Sequence, residues 1–160
     1  MEAEAKLMRR NVIPGPGSSQ GRSPSSLHER LRFGLAQDFQ DSSSDVALGS
    51  SAADLVIKQG AKVAVVEVKT GDPGLPLPSS TSAQMLMLTY QAQAQFPGKE
   101  VLPVLITNYL VSEDDETELK QQGIKLVRVT GADPEYGSRR FSNHFAEVVG
   151  LQPDLSDKTL

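Results

Sequence analysis

The chain has 160 residues, a length that suits one domain with a full hydrophobic core. Its formal net charge is −4 and its pI about 5.2, so it lacks the basic balance of a protein that binds nucleic acid by charge alone. Cysteine is absent and the only histidines are His28 and His144, which excludes disulfides and thiolate chemistry and argues against a zinc site built on histidines.

No apolar run approaches the length of a membrane span, and the start, MEAEAKLMRRNVIPGPG, lacks the apolar centre of a secretory signal. A soluble cytoplasmic protein is therefore the expectation. Residues 1–25 are dominated by Pro, Gly and Ser after a short charged start and predict a flexible leader. Order is expected over 26–150, with a polar tail at 151–160.

Ser26 and Glu29 form an S-x-x-E capping box, and Leu27, Leu31, Leu35 and Phe39 then recur at helical spacing. That helix should end near residue 40, before the turn-like cluster DSSSD at 41–45. A short strand is predicted at Val46–Leu48. The segment ADLVIKQGAKVAVVEVKT predicts a β-hairpin with strands Asp54–Lys58 and Lys62–Thr70 and a turn at Gly60-Ala61. The proline-rich GDPGLPLPSS should be a loop, a lid or spacer rather than a phosphate cradle, because its prolines lack N–H groups.

A second helix is expected over 82–96, ending at Pro97-Gly98, with Tyr90 partly buried in its packing. EVLPVLITNY predicts an apolar strand. SEDDETELKQQG predicts a helix with a serine cap and acids in its first turn, where they suit the helix dipole. IKLVRVT is a further strand and SNHFAEVVG a closing helix. Strands apolar on both faces need helices on both sides. The predicted architecture is α/β: a three-layer α/β/α sandwich with a central mixed β-sheet.

The chemistry lies in the hairpin. With Gly60 and Ala61 as the turn, Asp54 falls opposite Glu67, and the two share a face with Cβ atoms about 5 Å apart. Strand alternation puts Lys69 on that face too, at one end of a surface otherwise formed by Val56, Val63 and Val65, with Lys58 at the far end. Two carboxylates so placed repel unless something positive lies between them. Lys69 supplies one answer, as a cross-strand ion pair. A divalent cation supplies the other: Mg²⁺ takes hard oxygen ligands, and Asp54, Glu67 and the Val68 backbone carbonyl make a suitable set. Lys69 would then orient or deprotonate a water, or neutralise charge on a phosphate.

Asp54 followed by Glu67-Val68-Lys69 resembles the D…E-x-K core of the PD-(D/E)XK nuclease superfamily, of restriction-endonuclease-like fold. The resemblance runs from about Ser26 to Thr130 in element order. VLITNYLVSEDDETELKQQGIKLVRV is also similar to the segment that follows the motif in resolvase-like and type IV restriction members. One departure is Ala53, where the family pattern has proline. The resemblance implies Mg²⁺- or Mn²⁺-dependent hydrolysis of phosphodiesters, with Asp54 and Glu67 as metal ligands and Lys69 as the catalytic lysine. It also implies two further positions. Glu29 matches a first-helix glutamate near the metal, although the capping box already explains it firmly and it lies on the far side of the helix from the Leu27–Phe39 stripe. Gln84 matches a glutamine early in the helix after the motif, although Thr81–Gln84 also has a capping-box pattern.

The expectation is therefore a small DNA-cutting nuclease that acts as a homodimer, since holding a duplex takes more binding surface than one small domain offers. The alternative is a nuclease fold that binds nucleic acid or a protein partner without cutting, which the acidic pI favours. Arg30, Arg32, Lys58, Lys62, Arg139 and Arg140 are scattered cations that could meet phosphates.

Overall fold

The computed structural model describes residues 26–72, 74–129 and 139–154. The predicted leader at 1–25 and the loop at 131–138 lie outside the described residues. In chain order the elements are α1 (Leu27–Asp38), β1 (Ser42–Leu48), β2 (Ser51–Gln59), β3 (Lys62–Lys69), α2 (Thr81–Gln95), β4 (Glu100–Thr107), α3 (Glu113–Gln121), β5 (Lys125–Arg128) and α4 (Arg139–Val149). The five strands form one sheet in the order β1-β2-β3-β4-β5. β1, β2 and β3 are antiparallel neighbours, whereas β3, β4 and β5 run parallel. Parallel neighbours need a crossover, and α2 and α3 supply the two required here.

Each face of the sheet carries its own core. On one side Leu31 and Leu35 of α1, Phe39 just after it, and Phe141 and Phe145 of α4 pack over Leu55, Ile57, Ala64 and Val66. The Phe39 and Phe145 rings meet edge to face at 5.6 Å. On the other side Met85, Leu88 and Ala92 of α2 and Leu119 of α3 pack over Val56, Val63, Val65 and Leu105. This is the predicted three-layer α/β/α sandwich with a mixed sheet. The first core continues past α4 to Leu151, and the Asp154 N–H donates to the Asp38 carbonyl at 2.7 Å. No helix among the described residues is long and apolar enough to cross a membrane.

Caps follow the sequence at two helices and fail at a third. The Ser26 hydroxyl accepts from Glu29 N–H, and the Ser112 hydroxyl from Asp115 N–H. The acids after Ser112 lie in the first turn of α3, as expected, where Glu116 also pairs with Arg128 at 2.7 Å. The capping box expected at Thr81–Gln84 does not form. Ser80 is the N-cap residue and caps nothing with its side chain, while the Thr81 hydroxyl is buried without a partner. Tyr90, expected to be partly buried, is 63% exposed. It lies on the face of α2 turned away from the sheet.

β1 is longer than predicted. The DSSSD cluster has turn-forming composition, yet Ser42, Ser43 and Ser44 pair with Ile57, Val56 and Leu55. β2 presents backbone donors and acceptors on its outer side, and satisfying them outweighs the local preference of serine for turns. One residue keeps turn geometry inside the strand: Asp45 has φ +53 and interrupts the β1–β2 ladder. The proline-rich loop is also tied down. Leu77 N–H donates to the Leu110 carbonyl and Leu110 N–H to the Leu75 carbonyl, which anchors the loop beyond the end of β4.

Candidate active site

The β2–β3 hairpin adopts the predicted register. Gln59 pairs with Lys62 across the Gly60-Ala61 turn, and the ladder continues to Leu55 with Val66. Gly60 has φ +60, a conformation that glycine enters without a Cβ clash. The pairing stops one step before Asp54 and Glu67. There the Asp54 side chain takes over: its Oδ2 accepts the Val68 N–H at 2.7 Å. This bond fixes the carboxylate against the β3 backbone between Glu67 and Lys69. On the other side of β2, the residue that would face Asp54 is the left-handed Asp45. Asp54 therefore occupies a break in the sheet on both of its edges, the kind of local irregularity that re-aims a side chain.

Glu67 lies next to it with an unusual environment. The residue keeps partial exposure, but its Oε1 is fully buried and no donor group reaches it; the polar group beside it is the Asp54 carboxylate. Burial, reinforced by the neighbouring Asp54 charge and only partly offset by Lys69, raises its pKa to about 8. In the absence of a cation the pair thus holds a proton at neutral pH. Lys69 pairs in register with Thr107 at the carboxyl end of β3 and β4, where open α/β sheets place their ligands.

Glu67, Lys69 and Gln84 line one cleft of about 460 Å³. Because the Thr81–Gln84 box is not formed, Gln84 is left exposed at that cleft. Glu29 engages α1's cap through its backbone N–H. The α1 side chain that reaches Asp54 is its neighbour His28, whose Nε2 lies 3.5 Å from Asp54 Oδ2. One turn later Arg32 holds Asp45 at 2.7 Å. Neither contact is visible in the sequence. Both depend on how α1 crosses the sheet, and the only local signal is the four-residue spacing of His28 and Arg32.

A further unforeseen group is Asn108, directly after β4. Its Oδ1 accepts the Gly71 N–H at 2.9 Å and its Nδ2 donates to the Gly71 carbonyl at 2.8 Å. This two-point clamp holds the chain just beyond Lys69. The Tyr109 hydroxyl fills the space where a Cβ on Gly71 would stand, so a larger residue there would displace the Tyr109 side chain. Asn108, at the end of the apolar strand, therefore has a physical task.

Among the described residues no three His, Asp or Glu side chains form a closed metal cage. The donors present are two carboxylates, one with an orphaned oxygen, beside the Val68 peptide. That set suits Mg²⁺ or Mn²⁺, which binds through one or two carboxylates and leaves other positions to water and phosphate. Among the expected phosphate contacts, Arg32 is engaged by Asp45, the Lys62 ammonium donates to the Gly150 carbonyl at 2.9 Å, and Lys58 lies over the Phe96 ring.

An antiparallel β1–β2–β3 meander, a helical crossover to a parallel strand and helices on both faces together define a restriction-endonuclease-like fold. By sequence the chain matches no protein-family model and no curated protein. By structure it is similar to protein VC1899 from Vibrio cholerae, at 17% identity and a TM-score of 0.51, over 78% of this chain and 32% of that one. It is also similar to a repair endonuclease from Pyrococcus abyssi, at 13% identity and a TM-score of 0.45, over 55% of this chain and 37% of that one. The protein of the EndoMS–dsDNA2 complex matches at 11% identity and a TM-score of 0.46, over 60% and 39% of the two chains. The chain thus spans well under half the length of these proteins.

Proposed function

We propose that the chain is a metal-dependent nuclease that hydrolyses DNA phosphodiesters at Asp54, Glu67 and Lys69. The observation that carries this reading is the buried, unpartnered Glu67 Oε1 beside a second carboxylate. Leaving a buried acceptor unpaired costs stability, and a hard cation would both satisfy it and cancel the repulsion from Asp54.

Asp54, Glu67 and the Val68 carbonyl would hold Mg²⁺ or Mn²⁺. When bound, the ion supplies positive charge to the phosphate and makes water a better nucleophile. The chain's own groups do the rest. Val68 N–H keeps Asp54 in one orientation. Lys69 stabilises the negative charge that builds on the phosphate as water attacks phosphorus and the bond to one sugar oxygen breaks. The Gln84 amide, at the same cleft, can hydrogen-bond a phosphate oxygen or the attacking water. DNA as the substrate comes from the superfamily resemblance.

Incubation with single-stranded, duplex and branched DNA in Mg²⁺ or Mn²⁺ tests the reading. Wild type should cut at least one substrate, and Lys69→Ala should lower the rate by about 100-fold or more, the usual scale for losing one stabilising group. Equal cutting by Lys69→Ala would place the activity elsewhere. A non-cutting module is the second reading, favoured by the net charge of −4 and by the engagement of Arg32 and Lys62 within the fold. Absence of cutting together with retained binding of nucleic acid is its signature.

A further inference from the structure

The cleft that begins at Glu67 and Lys69, with Asp54 behind Glu67 and outside its lining, extends along α2 toward the β1–β2 turn, where Ser51 and Ala52 line it. Of its lining residues only Glu67 and Lys69 carry charge. Along its whole length α2 has no acidic or basic residue. Surfaces that follow a phosphate backbone are studded with Lys and Arg, and this wall has none beyond Lys69. It offers instead Ala83 and Met87 as apolar contacts over a floor of the buried Met85 and Leu88, with the Gln84 amide and the Ser51 and Ser80 hydroxyls as hydrogen-bonding groups. Flat apolar contacts edged by a few polar groups suit the face and rim of a nucleobase.

The cleft is built into the fold. The β1–β2 turn is drawn against α2, so that a Cβ on Gly49 would meet the Gln91 side chain. The Gln91 amide donates to the Ser50 hydroxyl at 3.3 Å and touches the Met87 sulfur at 3.7 Å, which seats Met87 as a wall. A volume of about 460 Å³ is within the range of single small-ligand sites. Paired bases stacked inside a duplex cannot enter such a space.

We propose that this cleft receives one unpaired nucleobase of the strand whose phosphate lies at Asp54 and Glu67, so that the site acts on single-stranded or locally opened nucleic acid. The proposal rests on the nuclease reading for the position of the phosphate. The unpaired base can come from a single strand or be swung out of a duplex.

The test uses the full chain in Ca²⁺, an oxygen-seeking ion chosen so that the strand stays intact, and measures binding by fluorescence anisotropy. The probes are a short DNA single strand, the same strand scanned with one abasic position, the perfect duplex and a duplex with one mismatch. The single strand should bind about 10-fold or more tighter than the perfect duplex, and one abasic position should weaken it by about 10-fold, the scale of losing one stacked base. Ala83→Trp, which fills the cleft from an exposed helix position, should weaken the intact strand and erase the abasic difference while leaving calorimetric metal uptake unchanged. A mismatched duplex that binds like the single strand identifies a swung-out base, and one that binds like the perfect duplex identifies a single strand; either supports the cleft. Equal binding of intact and abasic strands, no effect of Ala83→Trp, or no strand binding at all overturns it. Failure of the nuclease reading would show separately, as no metal uptake by wild type.

Discussion

Glu67 is held where its charged form is disfavoured, with a folded pKa of about 8 against an ordinary value of 4.5. Folding therefore takes up a proton that the unfolded chain has released between those two values. The stability linked to this group is complete below about pH 4.5 and is lost as pH rises toward about 8. Glu67→Gln keeps the shape and removes the titration. In metal-free urea unfolding it should come close to wild type near pH 5 and exceed it near pH 9 by roughly 3–5 kcal/mol, the scale set by a pKa moved from 4.5 to about 8 at about 1.4 kcal/mol per pH unit. Parallel pH profiles for the two proteins would contradict the assignment. Asp45 makes a different prediction at the same scale. Its φ of +53 suits Gly or Asn and penalises a β-branched residue. Asp45→Val should cost about 1–2 kcal/mol and loosen Asp54, whereas Asp45→Gly should cost less than about 1 kcal/mol, since only the Arg32 ion pair is lost. Of these residues, Glu67 and Asp54 were legible because a two-residue turn sets the register of its hairpin. Asp45 was not, because its conformation answers to Arg32 on another element.

The elements around the site have distinct tasks. β2 and β3 carry the carboxylates, α1 brings His28 and Arg32 over the break in the sheet, and the end of β4 clamps the chain beyond Lys69. Asn108 is 8% exposed and makes both of its hydrogen bonds to Gly71. Asn108→Ala should cost about 1–3 kcal/mol in unfolding measurements and weaken metal uptake. Unchanged stability would show that the clamp is idle. Helical and strand periods placed nearly all elements, since apolar stripes and glycine turns are local signals. The DSSSD segment misled because its serines were read for their own preference, whereas pairing with β2 decides its fate. The capping box at Thr81 failed for a related reason: Thr81 is 1% exposed, drawn into the core beneath α2 and away from a cap position.

At the scale of the whole molecule, strands apolar on both faces dictated helices on both sides, and the three layers follow from that. The cleft and its uncharged wall were not legible, because they arise where α2 meets a turn far from it in sequence. An acidic protein with an uncharged helix beside its carboxylates is poorly suited to gripping a duplex by its phosphates, so on the proposed reading the burden of binding would fall on the ion and the cleft. The account thus turns on whether Asp54 and Glu67 hold a cation together. Calorimetric titration of Mn²⁺ into the metal-free full chain measures this directly. The account predicts saturable uptake by wild type, with proton release from Glu67 at neutral pH, and loss of that uptake in Asp54→Ala and Glu67→Gln. No uptake by wild type, or uptake unchanged in both variants, would contradict it.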